Sequence, residues 1–311
     1  FKDSNKSKIL ETGTETIYSA FTQLKHKVFD DKFIMNFGLR YDEKFRHEGE
    51  NVRALSPRLS FIYLPNNFFE IKTSYSESFV DAPYWYRYNI LPSYKGSRDL
   101  KPEHLRSVQL TPVFKFFDGR LNNTINFFYN DLYDFIYRDL NAKDNEPKYR
   151  NAGFLKSVGI EEEIAFISDS YKIRGNLTYQ RALDAKDYPV TSSEINNVPS
   201  LSANLILDFN PLFFVYDKFS MNITGRYIGS QSSPIGKTFK NGIEFSSPNN
   251  RVDQVFLVNT GFNVLAPWSE KLSLDGRIYN VFDTNYSQGG TTVIPYPQTG
   301  RWFNLSLSYN L

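Results

Sequence analysis

The sequence predicts an all-β fold, a portion of an antiparallel transmembrane β-barrel, and three observations support this expectation. Apolar residues recur at every second position over long stretches of the chain, which is the period of a strand with one apolar and one polar face. These stretches run for about 12 residues or more, longer than most strands of soluble sandwiches and long enough to cross a bilayer at a tilt. Aromatic residues make up 17% of the 311 residues, as expected if aromatic girdles lie at the two membrane interfaces.

Residues 121–137 show the alternation most clearly. Ile125 and Phe127 fall on one face, and Asn122 and Asn126 fall on the other. A helix is not expected there, because the apolar spacing is not three or four and because β-branched and aromatic residues dominate. The same pattern predicts about thirteen strands. They are 14–27, 32–46, 55–65, 67–78, 103–117, 120–138, 147–168, 170–185, 198–210, 218–230, 252–266, 270–282 and 299–311.

The connections between the predicted strands are alternately short and long. The short ones carry turn residues and are 29–31, 65–67, 118–119, 169–170, 211–217 and 267–269. The long ones are 43–54, 79–102, 139–146, 185–197, 230–251 and 283–298. One rim of short periplasmic turns and one of long extracellular loops is typical of bacterial outer-membrane barrels. An odd number of antiparallel strands cannot close on itself, so we expect residues 1–311 to be the C-terminal part of a barrel domain of roughly 22 strands.

The composition excludes several classes of function. The 36 basic and 34 acidic residues leave a net charge of +2, which argues against a nucleic-acid partner. The chain has no cysteine and only three histidines, His26, His47 and His104, so the sequence predicts no thiolate or histidine metal centre. It contains no phosphate-binding loop and no dinucleotide fingerprint. We therefore predict neither an enzyme nor a bound cofactor.

Several motifs, in order along the chain, resemble those of a known family. The segment 276–286 reads GRIYNVFDTNY and is followed by Gly300-Arg301 and a final alternating strand. The internal segments 76–83 and 99–103 read SESFVDAP and DLKPE. Taken together, these segments resemble the signatures of TonB-dependent outer-membrane receptors.

This resemblance implies a place in the bacterial outer membrane and active transport of a scarce nutrient, above all an iron–siderophore complex. The implied partners are outer-membrane lipid, an N-terminal plug and the remaining barrel strands, and TonB acting through the N-terminal region. By this expectation the plug, the remaining strands and the N-terminal region are not part of residues 1–311. A surface lipoprotein is left open as a further partner. A diffusion porin or a surface-docking barrel without energy coupling is the alternative. Residues 84–98 contain no histidine, which favours a siderophore over haem.

The long connections carry the candidate ligand-binding residues. Aromatic faces interleaved with cations suit a flat or anionic ligand. The candidates are Tyr84, Trp85, Tyr86, Arg87, Tyr88 and Arg98 on connection 79–102, and Lys237 on connection 230–251. The alternative for part of these aromatic residues is a place in the outer interfacial girdle.

Charged residues on the polar face of the strands are expected to line the barrel lumen. They are Arg40, Glu161, Glu163, Arg174, Arg226, Asp275 and Arg277. By the resemblance they would contact the plug, and the alternative is a solvated wall as in a porin. Glu162 instead falls among outward apolar residues, where a charge costs about 0–1 kcal/mol near an interface and more towards the midplane. We therefore expect Glu162 near the rim or beside a bulge that turns it inward.

The final strand is expected to carry the signal for assembly into the outer membrane, again by resemblance. Its apolar face consists of Phe303, Leu305, Leu307, Tyr309 and Leu311. Replacing Tyr309 with Asp should reduce assembly, because it places a charge among these residues. The amount of heat-modifiable barrel in isolated outer membranes measures the effect. A normal amount in the variant would contradict the assignment.

Overall fold

The computed structural model describes residues 10–11, 13–139, 142–186, 190–191, 194–212, 216–232, 239–240, 243–244, 251–269, 271–290 and 295–310. Thirteen strands of these residues form one sheet in chain order, with antiparallel neighbours throughout. They are β1 (Thr16–Val28), β2 (Phe33–Phe45), β3 (Val52–Tyr63), β4 (Phe69–Val80), β5 (Glu103–Phe116), β6 (Leu121–Arg138), β7 (Tyr149–Ile167), β8 (Tyr171–Lys186), β9 (Leu201–Phe209), β10 (Phe219–Ile228), β11 (Val255–Leu265), β12 (Leu272–Tyr279) and β13 (Trp302–Tyr309). The predicted fold class and all thirteen strands are confirmed, with strand ends displaced by about three residues or fewer.

The connections contain short elements that the alternation does not predict. A helix, α1, covers Tyr84–Tyr88, and a 3-10 turn covers Pro92–Tyr94. Among the described residues, two-stranded ribbons pair Val190–Thr191 with Glu194–Ile195, Gln231–Ser232 with Arg251–Val252, Phe239–Lys240 with Ile243–Glu244, and Ser287–Gly290 with Pro295–Pro297. No helix in the described part of the chain is long and apolar enough to cross a membrane.

The short connections contain tight turns with left-handed backbone. Phe29, Asp30 and Asp31 have φ angles of 57°, 53° and 65°, a region that Asp tolerates because its short polar side chain hydrogen-bonds locally. Lys32 N closes this turn by donating to Phe29 O at 3.1 Å. The short connections define the short-turn rim, at 29–32, 64–68, 117–120, 168–170, 210–218 and 266–271. The long connections define the loop rim, at 46–51, 81–102, 139–148, 187–200, 229–254 and 280–301.

The strand register separates an apolar outward face from a polar inward face. Phe37 stands opposite Leu24 and Leu59 on the neighbouring strands and is 40% exposed. Asn36 lies on the other face and donates a hydrogen bond to Ser60 Oγ at 3.0 Å. Strands contact mainly their neighbours in the sheet, so among the described residues no second layer covers the outward face. An apolar face of this kind suits lipid as its surroundings.

The inward face carries the predicted lumen charges. All seven lie on it by register: Arg40, Glu161, Glu163, Arg174, Arg226, Asp275 and Arg277. Several are hydrogen-bonded across strands, since Arg174 Nη2 lies 2.8 Å from Asp208 Oδ2 and Asn126 donates to Glu161 at 3.0 Å. Beside the first four strands this face borders a cavity of about 780 Å³. Contact of these residues with a plug stays a prediction.

Glu162 keeps its place on the outward face, so the expected inward turn is wrong, and its place near the rim stays a prediction. It stands between Ile125 and Leu177 in regular register, and the register shift between β7 and β8 lies further along, at Lys156 and Ser157, where β8 carries the extra residue. Asn123 on β6 donates a hydrogen bond to Glu162 Oε1 at 2.8 Å. A neighbouring amide therefore meets part of the desolvation cost of the carboxylate.

The last strand presents its apolar residues outward. Phe303, Leu305, Leu307 and Tyr309 are 68%, 72%, 69% and 59% exposed. They are this exposed because β13 is an edge of the sheet and pairs only with β12. Leu311 lies outside the described residues, and the role of this face in assembly stays a prediction.

A glycine beneath an aromatic ring offers a test of the outward packing. A Cβ built on Gly276 would lie 2.3 Å from Phe262 Cε1, so Gly276→Ala must displace the ring. We expect the free energy of unfolding to fall by about 1–3 kcal/mol, measured by urea unfolding in lipid vesicles. Gly38→Ala is the control, because its Cβ would meet Arg58 Cβ at an ordinary 3.7 Å. Equal effects of the two substitutions would refute the packing argument.

Candidate ligand-binding rim

Connection 81–102 folds into a compact cap on the loop rim. Its helix α1 begins after Pro83, whose carbonyl accepts a hydrogen bond from Arg87 N at 3.3 Å. The chain then returns over α1, and Gly96 N donates to Asn89 O at 2.8 Å. A Cβ on Gly96 would lie 2.3 Å from Arg87 O, so this close return requires glycine. We call residues 81–102 the cap.

Arg87 anchors the cap from within. Its side chain is 1% exposed. The guanidinium lies between Glu15 Oε1, 2.7 Å from Nη1, and Asp81 Oδ2, 3.7 Å from Nη2, and its Nε donates to Ala82 O at 3.1 Å. A buried guanidinium is stable only when its charge and its donors are matched in this way. Arg87 therefore fixes α1 to the segment that leads into β1.

Two further cations join the same carboxylates. Lys44 Nζ lies 2.8 Å from Glu15 and 2.7 Å from Asp81. Arg46 pairs with Asp81 and donates to Leu100 O at 2.6 Å. The rim network is thus Glu15, Lys44, Arg46, Asp81 and Arg87. Because these residues come from the ends of three strands and from α1, the network joins the cap to β1, β2 and β4.

The cations of the rim network determine how its carboxyl groups titrate. Burial alone would raise the pKa of Glu15, but hydrogen bonds from Arg87 and Lys44 outweigh it and lower this pKa to about 2. Burial also opposes ionisation of Asp81, and hydrogen bonds from Lys44 and Arg46 again lower the pKa below its usual value. Both carboxylates therefore stay charged at any physiological pH.

Two predicted ligand-binding residues have no surface to present to a ligand. Arg87 and Tyr88 are each 1% exposed. Arg87 belongs to the rim network, and the Tyr88 hydroxyl accepts a hydrogen bond from it at 3.0 Å and donates to Glu48 O at 3.0 Å. The prediction that these two side chains contact a ligand directly is therefore wrong for this conformation. They position the cap.

The other predicted ligand residues divide between packing and exposure. Tyr84 packs on Tyr88 with ring centroids 4.4 Å apart, and Tyr86 stacks on Tyr149 at 4.3 Å. Arg98 is half exposed and pairs with Glu11 at 2.6 Å and with Glu48 at 2.5 Å. Trp85 is 39% exposed. Lys237 lies outside the described residues.

An exposed aromatic surface remains on the cap, and a cation from β6 lies beside it. Trp85 and Tyr94 lie with ring centroids 6.4 Å apart, and Tyr94 is 40% exposed. The guanidinium of Arg138, at the end of β6, lies 4.3 Å above the Tyr94 ring and donates to Ser93 O at 2.8 Å. We call Trp85, Tyr94 and Arg138 the rim platform. Such a surface suits a flat or anionic ligand.

The C-terminal motif closes the last long connection. Asn280 has a φ angle of 51°. Its Oδ1 accepts a hydrogen bond from Thr284 N at 2.9 Å, and its Nδ2 donates one to Thr284 O at 2.8 Å. Asp283 Oδ1 then accepts Arg301 N at 2.7 Å. A Cβ on Gly300 would lie 2.7 Å from that same oxygen. The residue types of this motif are therefore explained by local structure.

Among the described residues, no group of three His, Asp or Glu side chains is placed to hold a metal ion.

Comparison with known proteins gives a family match over nearly the whole chain. The model for "TonB dependent receptor-like, beta-barrel" matches residues 4–311. No curated protein matches the chain in sequence.

Three solved structures share the fold. The siderophore receptor PirA from Acinetobacter baumannii has 20% identity, a TM-score of 0.73, and coverage of 99% of this chain and 48% of its own. The ferripyoverdine receptor of the outer membrane of Pseudomonas aeruginosa has 17% identity and a TM-score of 0.72, and the match covers 95% of this chain and 38% of the receptor. The FrpB iron transporter from Neisseria meningitidis has 16% identity and a TM-score of 0.71, and the match covers 95% of this chain and 45% of the transporter. The chain spans less than half the length of each of these proteins.

Changing the pH tests the rim network. The pKa of Glu15 is about 2 in the folded protein against an ordinary 4.5. Its contribution to stability is therefore present above about pH 4.5 and is lost as the pH falls towards 2. We expect the Gly96 amide to exchange with deuterium slowly near neutral pH and to lose this protection below about pH 4. Glu15→Gln should abolish the protection at neutral pH, because Arg87 and Lys44 lose a shared partner.

The matched control is Asp144→Asn, which neutralises a carboxylate on the same rim that is 80% exposed. Exposed ion pairs contribute about 0–1 kcal/mol, so Gly96 should keep its protection in this variant. Unchanged protection in Glu15→Gln would show that the network does not hold the cap.

Proposed function

Because the chain belongs to the TonB-dependent receptor-like β-barrel family and lies in the bacterial outer membrane, we propose that it serves the energy-coupled uptake of an iron–siderophore complex. The family and the structural neighbours are receptors and transporters rather than enzymes. The names of the three neighbours refer to siderophores or iron. Their names support this substrate class for a cap that carries aromatic and cationic groups.

The pairing of the sheet supports a larger barrel. Among the described residues, β1 and β13 each have a hydrogen-bonded neighbour on one side only. An unpaired strand edge in lipid leaves backbone groups without partners, each at a cost of several kcal/mol. Further strands therefore complete the barrel in this proposal, and residues 1–311 form its C-terminal part.

The inward charges support the proposal of a plug. Arg40 is exposed on the inward face, and its Nη2 lies 2.7 Å from Asp42 Oδ1. Arg226 and Arg277 lie on the same face of β10 and β12. Charged groups with hydrogen-bonding capacity to spare suit a folded polar domain inside the lumen. In this proposal TonB acts through the N-terminal region, and a surface lipoprotein is a further candidate partner.

The rim platform is the single observation that carries the assignment of the ligand-binding side. It lies on the loop rim, and long loops face the outside of the cell in outer-membrane barrels. The rim network holds the cap that bears it, so its rings are ordered before a ligand arrives. Preordered aromatic groups bind with less loss of conformational entropy. Loops on a rigid scaffold are also where binding residues concentrate.

Removing the rings of the rim platform tests the proposal. Trp85→Ala with Tyr94→Ala should weaken binding of an iron-loaded siderophore at least tenfold, because each stacked ring contributes about 0.5–1.5 kcal/mol beyond its buried area. A panel of iron-loaded catecholate and hydroxamate siderophores serves as the probe. Binding is measured on the full-length protein in outer-membrane vesicles.

Trp268→Ala is the matched control, because Trp268 is 81% exposed on the short-turn rim. It should leave binding unchanged. If no member of the panel binds, or if the double variant binds like the parent, the proposal fails. Immediate ion conduction in a planar bilayer, without tight binding, would favour the porin alternative instead.

A further inference from the structure

A single row of alternating charge crosses the outward face near the loop rim. The cross-strand register places five charged residues side by side on β4, β5, β6, β7 and β8. In order they are Glu77, Arg106, Asp131, Lys156 and Asp184. We call these residues the charged row. It lies on the same face as the apolar residues that suit lipid.

A β-bulge completes the charged row. The register between β7 and β8 shifts at Lys156 and Ser157, so that Leu183 has no partner and Asp184 stands opposite Lys156. Without this extra residue Leu183 would occupy that position and Asp184 would face inward. Bulges re-aim side chains in this manner. The local irregularity thus places a third carboxylate on the outward face.

The charged row lies at the upper edge of the apolar band. Ten residues separate Arg106 from Phe116 at the short-turn end of β5, which corresponds to a height of roughly 25 Å at about 3.3 Å per residue and a tilt of about 40°. This is about the height of the apolar band of an outer-membrane barrel. Between the two ends, Val108 and Leu110 face outward and are 45% and 43% exposed. The row is therefore level with the headgroups of the outer leaflet.

An aromatic row lies directly above the charged row. The register aligns Phe79, His104, Tyr133 and Phe154 across β4 to β7. Ring centroids are 6.3 Å apart for Phe79 and His104, and 5.0 Å apart for His104 and Tyr133. Ring faces of this kind pack well against the apolar faces of sugars. On β4 to β7 the outward surface thus changes from charged to aromatic over two residues along each strand.

The charges of the row are incompletely matched by one another. Among the described residues, Asp131 and Asp184 form no ion pair, although each stands beside Lys156. The Lys156 ammonium instead lies 5.3 Å from the Phe154 ring. Arg106 meets Glu77 at 3.2 Å and the Tyr133 ring at 4.6 Å, and its side chain is still 47% exposed. These groups retain capacity for an external partner.

We propose that the outward face of β4–β8 binds a phosphorylated glycolipid of the outer leaflet. The acyl chains lie on the apolar residues below the row, and the sugar rings pack on the aromatic row. Arg106 and Lys156 bind the phosphates by charge-assisted hydrogen bonds. Asp131 and Asp184 hold divalent cations that bridge to the same phosphates, since carboxylate oxygens are ligands for Mg²⁺ and Ca²⁺. The alternation of the row then matches a headgroup that combines phosphate with bound cation.

Binding of purified lipopolysaccharide to the full-length protein tests this proposal. The protein is placed in phosphatidylcholine vesicles with Mg²⁺, and lipopolysaccharide is added in increasing amounts. Binding is measured as the rise in the temperature at which the barrel loses the gel mobility of its folded form. Arg106→Gln with Lys156→Gln should weaken binding at least tenfold, because two charge-assisted contacts are lost. Arg120→Gln with Lys172→Gln removes the same charge near the short-turn rim and should bind like the parent.

Two measurements on the unaltered protein keep the test independent of the variants. Dephosphorylated lipopolysaccharide should bind at least tenfold more weakly, and a chelator of divalent cations should weaken binding of the intact lipid. Equal binding of the two lipids, or equal loss in both pairs of variants, would overturn the proposal. Stabilisation by inorganic phosphate to the same extent as by the lipid would also overturn it, because a simple anion site would then explain the row.

Discussion

Lipid provides no hydrogen-bond partner for the backbone, and this constraint governs the rest of the structure. The chain meets it by pairing each strand from β1 to β13 with its neighbours in sequence. Continuous pairing fixes the register, and the register fixes which side chains face outward. The outward face can then be apolar without a second layer of protein, because lipid replaces the packed core of a soluble sheet. Buried protein contacts are concentrated instead at the loop rim, around Ala82, Leu100 and Tyr149.

At the loop rim the constraint is different, because water is available and the connections need not pair as strands. Here the fold is held by tertiary contacts between residues distant in sequence. Glu15 and Arg87 are 72 residues apart, and Lys44 and Asp81 are 37 apart. Buried charges of both signs hold the cap in one position, since each would be costly without the others. The rigidity of the sheet is thereby extended to a connection that would otherwise sample many conformations.

The sequence determines the strands far better than it determines the candidate site. Alternation predicts the strands because one side of each strand faces lipid along most of its length. The same signal cannot tell that Arg87 and Tyr88 are buried while Trp85 is exposed, because all three belong to one five-residue helix and nothing in their spacing separates them. Their burial depends on Glu15 and Asp81, whose proximity no local pattern reveals. Arg138 was missed for a related reason, since it ends β6 and reaches across to Tyr94 on the cap.

The two groups of charges on this barrel follow opposite rules. In the rim network each carboxylate has two cationic neighbours within hydrogen-bonding reach, and the charges stabilise one another. In the charged row the residues alternate just as regularly, but among the described residues only Glu77 and Arg106 form an ion pair. Cross-strand neighbours lie about 5 Å apart at Cβ, yet Lys156 rests against Phe154 and not against Asp131 or Asp184. Charges that face lipid without internal partners favour headgroups that supply the missing ones.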